Sequence, residues 1–576
     1  MTKTSWKQTD KQCDLWNVLK SDKHRASQPL GRTGFPPQYP EKVLPGLQAE
    51  CVSCHTKDLS ENKRKHACCW FSVITVVSLL SLCWMYICLV TYNDQEDINW
   101  KGFTVLKLWV NWFMVMIIMS AVLASYCILL LLFALIQVAL GERLDLHWLH
   151  KIFLFFGLIL IALGVAGISK WKEEWPTVPL SLQATAPFLQ FGAVGALMLL
   201  SPFVFRAFLW AKTGSGVLIA VVFVAVSAAI FLCPLFIQSP CLIELSELPE
   251  KPKLIGHRGA PMLAPENTMM SFEKSIECGV MAFETDVQLS KDRIPFLMHD
   301  HQSEFLMRTT NVKEKFPKKD FCESACITWK ELQSLNAGEW FLKTDPFRSV
   351  SQLSEAERAS ARNQTIPSLR QLLNLTMQHK ISVIFDLYSP NQESDINDTV
   401  STILSSGIDP SLILWLPPAE RESVISSAPG FIQVYSTETE MFNKTGNHLN
   451  MKYNKLSIEK IRDLRKGNIT VNLWVVNERW LFSLLWCAGA SSVTTNSCHL
   501  LKDMEKPDWV MGLFTYSIIW ISVDVFSIMI MTAVFIFLRK THILSHRRGT
   551  ERQDDDTTAS NSKELFPILY HRSYEP

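Results

Sequence analysis

Six long runs of apolar residues interrupt an otherwise mixed chain of 576 residues. A helix needs about 20 predominantly apolar residues to cross the hydrocarbon core of a bilayer. Tryptophans stand near the ends of several runs, as they do at the two interfaces of membrane proteins. The pattern predicts six transmembrane helices, at about 67–91, 112–140, 152–169, 184–205, 216–237 and 511–538.

A different pattern fills the long interval between the fifth and sixth runs. Short apolar segments of strand length occur at Lys253 to Gly256, Val280 to Phe283 and Ile294 to Met298, and a helix-like stretch covers Asn267 to Cys278. The order strand, helix, strand is typical of parallel α/β folds. We therefore predict a multi-pass α-helical membrane protein with an inserted α/β TIM-barrel-like (β/α)8 catalytic ectodomain at residues 238–506.

Chemically active side chains stand at the ends of these three predicted strands. His257 and Arg258 follow the first, Glu284 and Asp286 end the second, and His299 follows the third. In a (β/α)8 barrel, catalytic residues gather at the carboxyl ends of the strands. Glu284 and Asp286 are two residues apart, so both point to one face, and two carboxylates suit Mg²⁺ or Ca²⁺ better than zinc. Taken alone this pair could be a solvated strand end, but the histidines and the arginine favour a metal-assisted phosphoester site.

In their order along the chain these motifs resemble the glycerophosphodiester phosphodiesterases. The resemblance covers about residues 252–503 and rests on His257-Arg258-Gly259, Pro265-Glu266-Asn267-Thr268, Glu284-x-Asp286, His299-Asp300, Arg308-Thr309-Thr310, Trp474-Val475-Val476-Asn477 and Ser492-Val493-Thr494-Thr495. It implies that His257 and His299 serve as acid and base and that Arg258 holds the phosphate. Glu266 and Trp474 are the further expected substrate contacts.

The resemblance also implies a divalent cation, Mg²⁺ or Ca²⁺, on Glu284, Asp286 and an acidic residue of a later strand, which is Asp386. By analogy, a neighbouring glycerol hydroxyl attacks first and water then opens the cyclic phosphate. Which histidine is the acid stays open. The chain departs from the family where it has Asp386 in place of a common glutamate, Tyr388 in place of a lysine, and Asn496 in place of an aspartate.

The orientation in the membrane follows from basic residues. Lys63-Arg64-Lys65 precede the first predicted span and Arg539-Lys540 follow the last. Because basic flanks remain in the cytoplasm, both tails, 1–66 and 539–576, are expected there, with residues 238–506 outside the plasma membrane. The asparagines of the Asn-x-Ser/Thr sequons all fall in this outer block, at Asn363, Asn374, Asn397, Asn443 and Asn468, and are candidates for glycosylation.

Composition and the remaining motifs limit the classes of binding partner that are expected. A net charge of +1 gives no reason to expect nucleic acid. The polar, proline-containing tail 1–66 is predicted to be disordered, and its Pro36-Pro37-Gln38-Tyr39 fits the pattern that WW domains bind. The cysteines of the outer block predict one or more disulfides, but their connectivity cannot be derived from sequence.

The substrate is left open among several classes. The resemblance, which is strongest to the animal six-transmembrane branch, implies glycerophosphodiesters such as glycerophosphoinositol or glycerophosphocholine, or glycosylphosphatidylinositol (GPI) anchors in the lipid bilayer. Strand-end motifs contact only phosphate and glycerol and do not discriminate among these. One alternative is a catalytically weak domain that serves as a surface receptor or interaction module, which would follow if Tyr388 and Asn496 impair turnover. The other is a transporter or channel with an appended domain, which is disfavoured because the predicted spans contain few ionisable residues apart from Asp524.

Overall fold

The computed structural model describes most of the chain from residue 70 onwards, namely residues 70–106, 108–140, 144, 146–170, 175–211, 213–299, 304–317, 326–387 and 392–565. Several sequence predictions lie outside these residues: the tail with Pro36–Tyr39, the basic run Lys63-Arg64-Lys65, Asp300 and Tyr388.

Within the described part of the chain, six helices are long and apolar enough to cross a membrane. They are α1 (70–90), α3 (Trp112–Leu140), α4 (Trp148–Lys170), α5 (Thr177–Trp210), α6 (Thr213–Leu232) and the apolar part of α20 (Leu513–Leu565). Large apolar side chains remain exposed along them, for example Phe155 at 62% and Leu199 at 76%. In water such surfaces would be unfavourable, whereas lipid tails solvate them.

A polar segment separates α1 from α3. It consists of a 3₁₀ turn, Thr91–Asp94, followed by α2, Gln95–Leu106. Asn99 fixes α2 against the start of α3, because its side chain donates to Asn111 Oδ1 at 3.1 Å and accepts from the backbone N–H of Phe113 at 2.9 Å. This segment, residues 91–106, is called the juxtamembrane segment below.

Between α6 and α20 the described residues form nine strands, of which eight make a parallel barrel. The strands are β1 (Lys253–His257), β2 (Ala282–Leu289), β3 (Pro295–Leu297), β4 (Ser382–Leu387), β5 (Ile413–Trp415), β6 (Ile432–Gln433), β7 (His448–Lys452), β8 (Thr470–Trp474) and β9 (Ser492–Thr495). The order in the sheet is β6-β5-β4-β2-β1-β9-β8-β7, and a parallel bridge between Tyr435 and Leu449 joins its two edges. The predicted fold class is confirmed.

One strand departs from the parallel pattern. β3 pairs with β2 in antiparallel register, with Val287 opposite Leu297 and Leu289 opposite Pro295. The short link after β2 returns the chain alongside β2 instead of crossing over a helix, so β3 forms a hairpin outside the eight-stranded circuit. The sequence predicts a strand here, and the structure adds its antiparallel direction.

The outer layer of the barrel consists of short helices. They are α7 (Met269–Glu277), α8 (Glu304–Thr309), α9 (Val312–Lys315), α10 (Trp329–Gln333), α11 (Glu339–Thr344), α12 (Glu355–Arg362), α13 (Leu369–His379), α14 (Gln392–Leu404), α15 (Arg421–Ser427), α16 (Glu438–Asn443), α17 (Ile458–Lys466), α18 (Arg479–Ala488) and α19 (Cys498–Leu501). Thr268 caps α7 by accepting from the backbone N–H of Ser271 at 3.4 Å. Such caps satisfy backbone donors that have no partner inside the helix.

Two disulfides join the first part of the barrel's chain to its last part. Cys241, after α6, pairs with Cys487 in α18, and Cys278, after α7, pairs with Cys498 in α19. Each closes a loop of more than 200 residues, with sequence separations of 246 and 220. A crosslink over so long a loop restricts the unfolded chain strongly.

Candidate functional site

Parallel pairing brings the predicted strand-end residues to one level of the barrel. His257 at the end of β1 lies opposite Glu284 of β2, and Asp286 of β2 lies opposite Asp386 of β4. Arg258 follows directly and adopts a left-handed backbone conformation, with φ of 53°. In this sharp turn the backbone N–H of Arg258 donates to the Glu284 carbonyl oxygen, with an N···O distance of 2.8 Å.

Three carboxylates form an acidic cluster here, made of Glu284, Asp286 and Asp386. Each can offer an oxygen that lies within 4.8 Å of the others. Burial, and then the charge of Asp286, raise the pKa of Glu284 well above its ordinary value and that of Asp386 to about 7. Carboxylates crowded in this way repel one another, and oxygen ligands at such spacing fit Mg²⁺ or Ca²⁺. The donor set therefore fits a divalent cation.

The guanidinium of Arg258 is held between two acids. Its Nη1 donates to Glu266 Oε2 at 3.0 Å, and its Nε lies 3.3 Å from Asp286 Oδ2. Burial by itself would lower the pKa of Arg258, but Asp286 and Glu266 outweigh burial and raise the pKa above its ordinary value. Arg258 is thus a permanent cation beside the acidic cluster, which is the charge that a phosphate group requires.

The imidazole of His257 has a different partner on each side. Nδ1 lies 2.5 Å from Asn496 Oδ1, and Nε2 lies 3.8 Å from Glu284 Oε2. Burial, followed by the charge of Arg258, lowers the pKa of His257 to about 3. The ring is therefore neutral near neutral pH. Since an amide oxygen can only accept, Nδ1 carries the proton and Nε2 keeps its lone pair.

A cavity of about 280 Å³ opens beside these groups. Its lining on the barrel side includes His257, Arg258, His299, Arg308, Asn477 and Asn496. Both predicted histidines and the predicted arginine thus share one cavity. Glu266 is almost fully buried and contacts Arg258 and Arg308. Trp474, at the end of β8, is 38% exposed and is not among the lining residues.

The opposite wall of this cavity comes from the juxtamembrane segment, through residues that include Asn93, Glu96 and Trp100. The guanidinium carbon of Arg308 lies 3.0 Å from the ring centroid of Trp100, and its Nη2 donates to Glu266 Oε1 at 3.0 Å. Burial, and then the charge of Glu266, raise the pKa of Glu96 to about 7. Sequence reasoning missed this wall. The only sequence signal for it is the group of acidic residues after the first predicted span, Asp94, Glu96 and Asp97.

The juxtamembrane segment is hydrogen-bonded to the barrel at several points. Asn93 donates to the carbonyl oxygen of Val475 at 2.9 Å, and its own side-chain oxygen accepts from the backbone N–H of Asn477 at 2.8 Å. Tyr453 donates to Asp94 Oδ2 at 2.5 Å. These groups are mostly buried, where an unpaired polar group would be costly. Buried hydrogen bonds to the barrel therefore hold the segment in place.

Comparison with known proteins gives this geometry its context. Residues 257–410 match the model of the glycerophosphoryl diester phosphodiesterase family. The chain is 42% identical over 520 residues to glycerophosphoinositol inositolphosphodiesterase GDPD2 of Mus musculus, across 88% of this chain and 96% of that one. The chain belongs to the glycerophosphoryl diester phosphodiesterase family. The resemblance inferred from its motifs is confirmed.

A second curated relative of this phosphodiesterase agrees. It is 41% identical over 478 residues to glycerophosphodiester phosphodiesterase domain-containing protein 5 of Gallus gallus, across 81% of this chain and 79% of that one. Among solved structures, a putative glycerophosphoryl diester phosphodiesterase from Silicibacter pomeroyi is 20% identical, with a TM-score of 0.38, and covers 45% of this chain and 95% of that one. Membership of the family makes this protein an enzyme that hydrolyses phosphoric diesters.

The predicted glycosylation sites all lie at the surface. The five sequon asparagines are exposed, and they sit on helices or helix ends of the barrel's outer layer or in the turn before β8: Asn363, Asn374, Asn397, Asn443 and Asn468.

Proposed function

We propose that this phosphodiesterase hydrolyses glycerophosphodiesters outside the cell in a reaction that depends on a divalent cation. The observation that carries the proposal is the acidic cluster of Glu284, Asp286 and Asp386 beside Arg258 and His257, at the open end of the barrel. The printed name of the Mus musculus relative makes glycerophosphoinositol the first substrate to test. Glycerophosphocholine and GPI anchors are the further candidates.

Phosphate binding is assigned to Arg258 and the acidic cluster. A cation on Glu284, Asp286 and Asp386 would neutralise negative charge that develops on the phosphoryl oxygens. Arg258 adds a second positive charge, and its contacts with Glu266 and Asp286 hold the guanidinium before substrate arrives. A group that is already in position requires little rearrangement during the reaction, which is the condition for strong electrostatic stabilisation.

The two histidines are assigned opposite roles. Asn496 holds Nδ1 of His257 and leaves its Nε2 lone pair available beside the cavity, so we assign His257 as the base. We infer that it takes the proton of the neighbouring glycerol hydroxyl, whose oxygen then attacks phosphorus. His299, on the same cavity, protonates the departing alkoxide. Water opens the resulting cyclic phosphate with the proton transfers reversed, as general acid–base catalysis requires.

The extracellular location of the barrel is part of the proposal. Disulfides form and persist mainly in oxidising compartments, and two pairs of cysteines in the barrel are bonded. The five exposed sequon asparagines and the basic flanks of the first and last predicted spans favour the same orientation. Residues 1–66 and 539–576 are accordingly proposed to be cytoplasmic, and residues 238–506 to lie outside the plasma membrane.

The deciding experiment uses the full-length protein purified in detergent. It is incubated with glycerophosphoinositol, glycerophosphocholine and a GPI-anchored protein, with Mg²⁺ or Ca²⁺ and with excess chelator. Identification of the phosphorylated product reports which bond is cut. Hydrolysis that needs the cation and disappears in His257→Ala supports the proposal. Full activity in chelator, or in His257→Ala, would contradict it. Glu459→Gln, a change on the exposed face of α17, is the control.

A further inference from the structure

Asn496 connects the barrel histidine to the juxtamembrane segment. Its Oδ1 lies 2.5 Å from His257 Nδ1, and its Nδ2 donates to Glu96 Oε2 at 3.0 Å. Asn496 is 2% exposed, so water does not substitute for these partners. Its backbone N–H is also fixed, because it donates to Asn477 Oδ1 at 2.8 Å. The side chains of Glu96, Asn496 and His257 therefore form a continuous chain of hydrogen bonds, which is called the relay below.

The direction of this relay is set by Glu96. A side-chain amide presents an acceptor at one end and donors at the other, and it can turn over. The Glu96 oxygen that faces Asn496 accepts, whether the carboxyl group is ionised or carries its proton on the other oxygen, so it requires the Nδ2 end of the amide. The Oδ1 end then faces His257, and Nδ1 of His257 must carry the proton. With the amide turned over, Nδ2 would face the ring, and Nε2 would hold the proton instead.

We propose that Glu96 is a positioning residue that selects the catalytic tautomer of His257 through Asn496. The inference rests on the proposed role of His257 as the base. It gives a residue of the juxtamembrane segment a task in the chemistry of the barrel. Glu96 acts on no substrate atom in this relay; it fixes the amide, and the amide leaves Nε2 of His257 free to take a proton.

The position of Glu96 is itself well determined. It lies in the first turn of α2, two residues after the turn that carries Asn93 and Asp94. Asn93 is bound to Val475 and Asn477, and Asp94 accepts from Tyr453. The second oxygen of Glu96 lies 4.0 Å from Arg258 Nη1. The carboxylate is thus held toward the cavity from both sides.

The test is an exchange of carboxylate and amide in the full-length protein, with glycerophosphoinositol as substrate. Glu96→Gln replaces the carboxylate with an amide that accepts or donates, so Asn496 turns over in part of the molecules. We expect kcat to fall by about 10-fold to 100-fold, as when the partner that orients a functional histidine is changed, while KM stays nearly constant. Asn496→Asp alone places two carboxylates face to face and should also slow turnover.

The double variant Glu96→Gln/Asn496→Asp restores an ordered relay. The amide introduced at position 96 donates to the carboxylate introduced at position 496, whose other oxygen accepts from His257. Most of the lost kcat should return. Wild-type kcat in Glu96→Gln would overturn the inference, and so would a double variant as slow as the slower single variant. A merely structural role for Glu96 predicts no such rescue.

The controls separate this inference from the proposed function. Glu459→Gln removes an exposed carboxylate from α17 and should leave kcat unchanged. Yield and thermal unfolding of each variant are compared with wild type, so that loss of folding is recognised. If His257→Ala is inactive while Glu96→Gln is fully active, only the role of Glu96 is refuted. If His257→Ala retains activity, the proposed mechanism fails as well.

Discussion

The acidic cluster makes a prediction about stability that can be checked without any substrate. In the cation-free protein the pKa of Asp386 rises from 3.8 to about 7, mainly through burial and then through Asp286. At about 1.4 kcal/mol for each pH unit, ionising Asp386 in the folded protein costs about 4 kcal/mol.

The sign of the pH dependence follows from linkage. The folded state keeps a proton on Asp386 that the unfolded state has already released between about pH 4 and about pH 7. Stability of the cation-free protein therefore falls as pH rises through this window and stays low above it. A cation removes the repulsion, so it should stabilise the protein much more at about pH 8 than at about pH 5, where protons compete for the same oxygens.

The assay is thermal unfolding of the full-length protein in detergent, followed by tryptophan fluorescence. At a free cation concentration about 100 times Kd, binding contributes about 2.7 kcal/mol. At roughly 2–4 °C for each kcal/mol, the transition of the barrel should rise by about 5–10 °C at the higher pH. Asp386→Asn is the matched variant, and without cation it should unfold later than wild type at about pH 8.

Two results would refute this reasoning. One is an equal rise in unfolding temperature on adding Mg²⁺ or Ca²⁺ to wild type and to Asp386→Asn. The other is a cation-free protein whose stability does not fall between about pH 5 and about pH 8. The first result would mean that the cation binds at another site. The second would mean that the negative charge of the carboxylates is already offset in the folded protein.

Further predictions concern single groups. His299→Ala should lower kcat by about 10²-fold to 10⁴-fold, measured as phosphorylated product, with unchanged yield of folded protein. Arg258→Lys cannot bridge two acids as the planar guanidinium does and should lose about 2 kcal/mol of transition-state binding, roughly 30-fold in kcat/KM; a change below twofold would contradict the role of the guanidinium. Glycosidase should increase the gel mobility of the wild-type protein, and an antibody near Asn443 should label intact cells. Reduction of Cys278–Cys498 should destabilise the barrel by about 2–5 kcal/mol, and unchanged denaturant unfolding would speak against that crosslink.

Much of the barrel site could be predicted because it depends on local pattern. The apolar strand patterns place His257 at the end of β1 and Asp286 within β2, and parallel pairing brings these positions to one level of the barrel. The hairpin geometry of β3 was not predictable in the same way, because an apolar run of that length has no mark of its strand direction. The direction depends on the short link after β2, which only the folded chain reveals.

Glu96 could not be assigned from sequence for a different reason. It is 161 residues before His257, in a segment whose acidic residues have an ordinary explanation as solvated charges beside a membrane. Nothing in the period or composition of that segment indicates a contact with Asn496. Such a contact arises from tertiary docking, through Asn93 and Asp94, and side-chain spacing along one segment carries no information about it.

The docking of the juxtamembrane segment changes how the protein can be dissected. A secreted fragment that begins near residue 238 would carry the histidines, the arginine and the three acids of the barrel, and would appear complete by its motifs. It would nevertheless lack one wall of the cavity, with Glu96 and Trp100, and would expose Arg308 to water. Slow turnover by such a fragment would then result from the missing cavity wall and would not show that the intact enzyme is slow. The unit to express, mutate or inhibit includes residues 91–106 with the barrel, although about 140 residues separate the two in the chain.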